Sequence, residues 1–191
     1  MGKRMSKDAR REQLLSIAEE IVRNEGADAL TLITLAEKAG VTKPLTYEHF
    51  SNREGLLSEL YKRCDEKLVS AMTVSIQVKT SSLKDAASIA ASSYMDCVKI
   101  CGSLYEAVIS ALLAYPEYNN IRVQIRDYFV KSYHKLFRPF VSIPNDELRI
   151  KLIAIFGALE EIGKAMNHGE ISYQEANDTL TSLIISFLGA R

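Results

Sequence analysis

An all-α protein is expected from this chain on three observations. Apolar residues recur at helical spacing almost throughout, no stretch alternates with period two long enough to make a strand, and Gly, Pro or Ser/Thr/Asn residues punctuate the segments. Nine helices are predicted. With 191 residues, 47% of them hydrophobic, the chain can bury about 70% of its unfolded surface, so it needs neither disulfides nor metal to hold a core.

The first helix is predicted over residues 8–24, with Leu14, Leu15, Ile17, Ala18, Ile21 and Val22 on one stripe and Gly26 as its stop. A short second helix follows from Thr31 to Lys38 and ends at Gly40. The hydroxyl of Thr42 is expected to cap a third helix, and Pro44 sits in its first turn, where a missing N–H costs little. Ser51-Asn52-Arg53-Glu54 reads as a capping box opening a long fourth helix that reaches the Val74 region. Ser81 and Ser82 start a fifth helix, Gly102 separates it from a sixth ending near Tyr115, and Pro116-Glu117 begins a seventh. Pro139 and Pro144 bracket a loop; the eighth runs over residues 145–167, His168-Gly169 closes it, and the box Ser172 to Glu175 opens the last. The domain boundary is expected inside or after the long fourth helix, and is set to give an N-terminal domain over residues 1–60 and a helical body over 61–191.

Leu35 to Val41 reads Leu-Ala-Glu-Lys-Ala-Gly-Val, which has the features of a helix-turn-helix. Ala36 lets two helices approach, Gly40 turns, and Val41 plugs the corner. The second helix of such a unit fits a major groove about 12 Å wide. From Ala39 the chain continues AGVTKPLTYEHF. Together with Arg11, the Leu14-Leu15-Ala18 stripe, Glu25-Gly26, Thr31 and Leu56, this stretch resembles the TetR family of transcriptional regulators over about residues 10–60.

The resemblance implies an all-α, TetR-like architecture with a DNA-binding head and a C-terminal ligand-binding and dimerisation body. It makes the segment from Val41 or Thr42 to His49 the recognition helix, with Thr31, Thr42, Tyr47 and Arg53 on phosphates. Helix N-termini suit phosphates, and Arg, where most relatives carry Lys, offers them a fork. Base reading is expected from Lys43, Pro44 and Leu45, with Glu48 or His49 beside them; Lys43 can donate to guanine and Leu45 can pack on a thymine methyl. Two positions depart from the family pattern. Leu45-Thr46 stands where relatives show Thr-Leu, so either Thr46 faces the head core through its methyl or the helix sits rotated. Ile33 stands where some relatives place a base-contacting Arg.

In the body, nine of the fifteen aromatic residues lie between positions 94 and 140. Tyr94, Met95, Tyr105, Tyr128, Phe129 and Tyr133 are candidate ligand-binding residues, set against an ordinary bundle core. In the resembled family the last two helices form a dimer interface, for which Ile153, Phe156, Gly157, Leu180, Leu183, Ile184 and Phe187 are candidates, each equally suited to intramolecular core. Gly157 to Lys164 imitates a phosphate loop, but its spacing is one residue too long and no strand precedes it. Cys97 and Cys101, one turn apart without a histidine, read as buried thiols. No catalytic constellation, metal site or cofactor is expected.

The expected protein is a cytoplasmic homodimer, without a signal or membrane span, that binds a palindromic double-stranded DNA operator and is released by a small-molecule effector, most simply as a repressor. The alternative is a helical interaction module or small-molecule carrier that binds no DNA. The 24 cations and 24 anions of the chain argue against bulk electrostatic binding of DNA, yet residues 1–11 hold five cations (Lys3, Arg4, Lys7, Arg10, Arg11) against Asp8 alone.

Overall fold

Eight α-helices occupy the described residues of the computed structural model, which are 5–76 and 80–189. They are α1 (Lys7–Glu25), α2 (Leu32–Ala39), α3 (Lys43–Phe50), α4 (Arg53–Ile76), α5 (Leu83–Leu112), α6 (Ile121–Phe137), α7 (Asn145–Asn167) and α8 (Tyr173–Gly189). Single 3-10 turns lie at Ala27–Ala29, Pro116–Tyr118 and Arg138–Phe140, and no helix among the described residues is long and apolar enough to cross a membrane.

The count is eight rather than nine because Gly102 does not end a helix. The two predicted segments on either side of it form the single helix α5. A Cβ at Gly102 would stand 2.9 Å from Oδ1 of Asn167, so the glycine serves a close approach to the end of α7 instead of a turn. Likewise Pro116 opens only a 3-10 turn, and α6 starts at Ile121. Elsewhere local chemistry sets the ends. The Ser6 hydroxyl accepts from the Ala9 N–H at 3.2 Å to open α1, and Gly40 ends α2 in the left-handed region at φ 62°. At α8 the Ser172 hydroxyl accepts from the Glu175 N–H (3.2 Å), while the Glu175 carboxylate accepts from the Ser172 N–H (2.8 Å).

Two compact units result. The first comprises residues up to Glu66 together with Ser103–Asn119. In it Leu14, Ala18, Leu30, Leu35, Leu56 and Leu60 are fully buried, each such leucine stabilising the fold by roughly 1.5–3 kcal/mol. The second comprises Lys67–Gly102 and Asn120 onward. Its core joins Ala86, Ala87, Ala90 and Ala91 of α5 to Tyr133 and Phe137 of α6, Leu152 and Leu159 of α7, and Leu180 and Ile184 of α8. The alanines leave room for the rings of α6.

Candidate nucleic-acid interface

Helices α2 and α3 pack at the Gly40-Val41 corner, and burial divides α3 into two faces. Thr46, His49 and Phe50 are buried, at the i, i+3, i+4 spacing of an inward face. Of the two arrangements open for Thr46, the structure has the one in which it faces the core. Its side chain is fully buried, and its hydroxyl donates to the Leu32 carbonyl at 2.9 Å and to the Lys43 carbonyl at 2.8 Å. Thr42, Lys43, Pro44, Tyr47 and Glu48 are exposed, with Leu45 half-buried beside them.

This outward face gathers most of the expected DNA contacts. Tyr47 is 49% exposed, and Ile33 of α2 is 41% exposed. Thr42 is the N-cap residue of α3, but its hydroxyl makes no cap bond, contrary to the expectation that it would. Thr31 by contrast closes a reciprocal cap with Thr34 at the start of α2, the hydroxyls 3.0 Å apart.

Two of the expected contact residues turn toward the head itself. The Arg53 Nε donates to the Leu30 carbonyl (2.9 Å) and its Nη2 to the Ala27 carbonyl (2.8 Å), with Asp28 at 3.7 Å. It clamps the turn that precedes α2. His49 points inward, and its Nδ1 is buried without a hydrogen-bond partner. Burial lowers the His49 pKa below its ordinary value, and Lys7, Arg11 and Arg10 act in the same direction against Glu48. The neutral ring is therefore favoured by folding. The stability this gives is complete above pH 6.5, the ordinary value, and declines as pH falls from there through the lowered folded-state pKa. Thermal melts are expected to show the first unit losing stability on acidification from pH 7.5 to 5.5, with a shallower slope in His49→Gln. Parallel slopes would refute it.

The start of α4 also differs by one residue from the expected capping box. Asn52, not Ser51, accepts from the Gly55 N–H (2.7 Å), and Ser51 instead terminates α3 at φ 61°. From the sequence, Gly55 and Glu59 have no role, and Arg11 enters only as part of the family resemblance and of the basic N-terminal segment. Arg11 nevertheless lies in the i, i+3, i+4 register of Leu14 and Leu15, which marks a cation on the buried face of α1. Of the basic N-terminal residues, Lys7 approaches Glu48 (3.7 Å), Arg10 donates to Gln13 (2.6 Å), and Arg11 pairs with Glu59 (2.7 Å). Lys3 and Arg4 lie outside the described residues.

The candidate ligand residues fall into two groups. In the second unit Tyr94, Phe129 and Phe156 meet edge-on or tilted with ring centroids 5.2–6.2 Å apart. Tyr133 is fully buried with its hydroxyl 3.5 Å from the Ala90 carbonyl, Met95 is buried, and Tyr128 is exposed against Phe129. Tyr105 belongs to the first unit. There it stacks on Tyr61 at 5.8 Å, and its hydroxyl donates to Asp65 (3.3 Å), whose carboxyl is pushed up by burial. Cys97 and Cys101 are buried thiols outside any disulfide, and burial pushes the Cys97 pKa up to about 12, which leaves it protonated and unreactive.

The candidate interface residues also separate. Phe156, Leu180 and Ile184 are core residues of the second unit, whereas Gly157, Leu183 and Phe187 are exposed and Ile153 is half-buried. Ala154, Ile155, Ala158, Leu183, Ser186 and Phe187 line an open, largely apolar groove of about 440 Å³ between α7 and α8. Lys151 fixes one edge by donating to the Phe187 carbonyl at 3.0 Å.

The family model for bacterial regulatory proteins, tetR family, matches residues 14–60, the segment that holds α2, α3 and their supports. Over 79 residues the chain is 35% identical to the HTH-type transcriptional activator FasR of Mycolicibacterium smegmatis, covering 41% of this chain and 36% of the relative. The alignment thus spans about a third of that relative's length. A TetR-like transcriptional regulator from Rhodococcus sp. RHA1 has the same fold, with a TM-score of 0.79 at 20% identity over 98% of this chain and 100% of that one. The fatty acid degradation regulator FadR from Bacillus halodurans gives 0.72 at 14% identity, over 95% and 96% of the two chains. Residues 14–60 thus match the tetR family of bacterial regulatory proteins in sequence, and the rest of the chain shares the TetR-like fold.

Proposed function

We propose that the protein is a DNA-binding transcriptional regulator that works as a homodimer, each head reading one half-site of a palindrome. The observation that carries this reading is the division of α3: Thr46, His49 and Phe50 anchor it inward, while Thr42, Lys43, Pro44 and Tyr47 face outward. Lys43 supplies a cation for guanine O6 and N7, Pro44, Leu45 and Ile33 supply apolar surface for thymine methyls, and Thr31, Thr42 and Tyr47 supply hydroxyls for phosphates. Arg53 supports the site by holding the turn before α2. Two-fold symmetry of the dimer imposes matching symmetry on the operator. The exposed α7–α8 groove, with Leu183 and Phe187, is the surface we assign to the second copy.

A small molecule among the aromatic side chains of the second unit would favour a conformer whose heads do not match the operator, releasing DNA. It can shift that balance only as far as its affinities for the two conformers differ. In this scheme the protein represses by occupying a promoter. One observation favours a second reading, activation: the relative that matches over 79 residues is named an activator. Transcription in vitro from a promoter carrying the operator separates the two by its sign.

The test of DNA binding is selection from random duplex DNA followed by a mobility-shift titration. Lys43→Ala with Tyr47→Ala is expected to weaken specific binding about 10- to 100-fold, since a base contact contributes about 1–3 kcal/mol of discrimination. Unchanged binding by the double variant would overturn the site assignment.

A further inference from the structure

We propose that Arg11 is a positioning residue for operator binding, a charged bracket that fixes the C-terminal end of α3 against α1 and α4 without touching DNA. The proposal rests on the DNA-binding reading above.

Helix α3 has eight residues, too few to be stable alone, and a helix leaves its last four carbonyls without intrahelical partners. The turn meets two of them: the Tyr47 carbonyl accepts from the Ser51 N–H (2.9 Å) and the Phe50 carbonyl from the Asn52 N–H (2.7 Å). Arg11 meets a third, its Nη1 donating to the His49 carbonyl at 2.7 Å from 38 residues earlier in the chain. The same guanidinium places Nη2 2.7 Å from Oε2 of Glu59 on α4 and its Cζ 5.0 Å from the Phe50 ring centroid. One side chain thus joins three helices at the end of the recognition helix. A cation there also complements the negative end of the helix dipole.

The bond pattern separates positioning from direct contact. Both Arg11 and Glu59 are about two-thirds buried, and the cation already has a carboxylate against it. Burial alone would raise the Glu59 pKa, but the hydrogen bonds from Arg11 and Lys62 hold it below the usual value, so the pair stays ionised at neutral pH. Arg11 therefore has little charge to offer a phosphate. What it offers is orientation, and base reading tolerates errors of only about 0.5 Å and 10–20° in the groups that perform it. A lysine ammonium lacks the planar fork that reaches the carbonyl and the carboxylate at once.

Two variants test this on the selected operator: Arg11→Lys, and Glu59→Gln, which nearly preserves shape while removing the anion. Both are expected to lose about tenfold or more in specific affinity, with binding to random duplex and the slope of log affinity against log salt unchanged, because no phosphate contact is lost. Glu59→Gln is the sharper case: it adds one positive charge to the head, so simple electrostatics would tighten binding, whereas loss of positioning weakens it. Circular dichroism at the titration temperature establishes that the heads are folded, and should Arg11→Lys unfold, Glu59→Gln alone decides. Unchanged or tighter specific binding by a folded Glu59→Gln overturns the proposal. So does a salt slope lowered by about one in Arg11→Lys, which would make Arg11 a phosphate ligand. If the parent protein selects no sequence from random duplex, the DNA-binding reading fails and the proposal falls with it, an outcome distinct from variants that match a binding parent.

Discussion

Replacing Gly55 by alanine is expected to destabilise the first unit by about 3 kcal/mol or more and to abolish operator binding with it. The reason is steric and local. Gly55 lies in the first turn of α4, and a Cβ there would overlap the backbone carbonyl oxygen of Phe50, the last residue of α3. A flexible side chain could swing aside; a backbone carbonyl cannot, least of all one held by the Asn52 N–H at 2.7 Å. Overpacking in a well-packed site costs about 1–3 kcal/mol, and a clash against backbone lies at or beyond the upper end. The turn has little slack, since Ser51 already adopts φ 61°, unusual for a residue with a side chain. Denaturant unfolding of parent and variant checks the effect. Unchanged midpoint and slope would mean that the α3–α4 turn relaxes freely.

Which features were legible in the sequence follows from how far apart the interacting groups lie. The Ser172–Glu175 box and the stops at Gly40 and Gly169 are contacts within a few residues, and the sequence pattern contains all the information they need. Gly102 reads as a break in the sequence because its partner, Asn167, lies 65 residues away, and glycine at a close helix crossing has the same letter as glycine at a turn. The bonds that Arg53 makes within the head are illegible for the same reason. Its partner carbonyls, Leu30 and Ala27, lie 23 and 26 residues back. His49 could have been placed correctly: with Thr46 and Phe50 it forms an i, i+3, i+4 set, which on an eight-residue helix defines the buried side. Motif resemblance points it to the DNA face, whereas periodicity, applied to the same residues, puts it inside.

Truncating Leu180 to alanine is expected to cost about 2–5 kcal/mol, whereas truncating Phe187 should leave the stability of the isolated subunit nearly unchanged and weaken self-association. The two residues lie on the same helix and were indistinguishable as candidates for the α7–α8 interface. Leu180 has no exposed surface and packs in the core of the second unit, so alanine removes its buried atoms and leaves a cavity beside Ala176 and Ile184. Phe187 is 40% exposed and borders the open groove, with its carbonyl held by Lys151. A half-exposed ring has little transfer energy to lose in the monomer but much to contribute when a second copy covers it, because the gain scales with apolar area removed from water. Unfolding midpoints at low and high protein concentration separate the two effects. A concentration-dependent midpoint in the parent that becomes independent in Phe187→Ala, with Leu180→Ala shifted at every concentration, is the expected pattern. Equal shifts in both variants at all concentrations would mean that Phe187 belongs to the subunit core and that the second copy sits elsewhere.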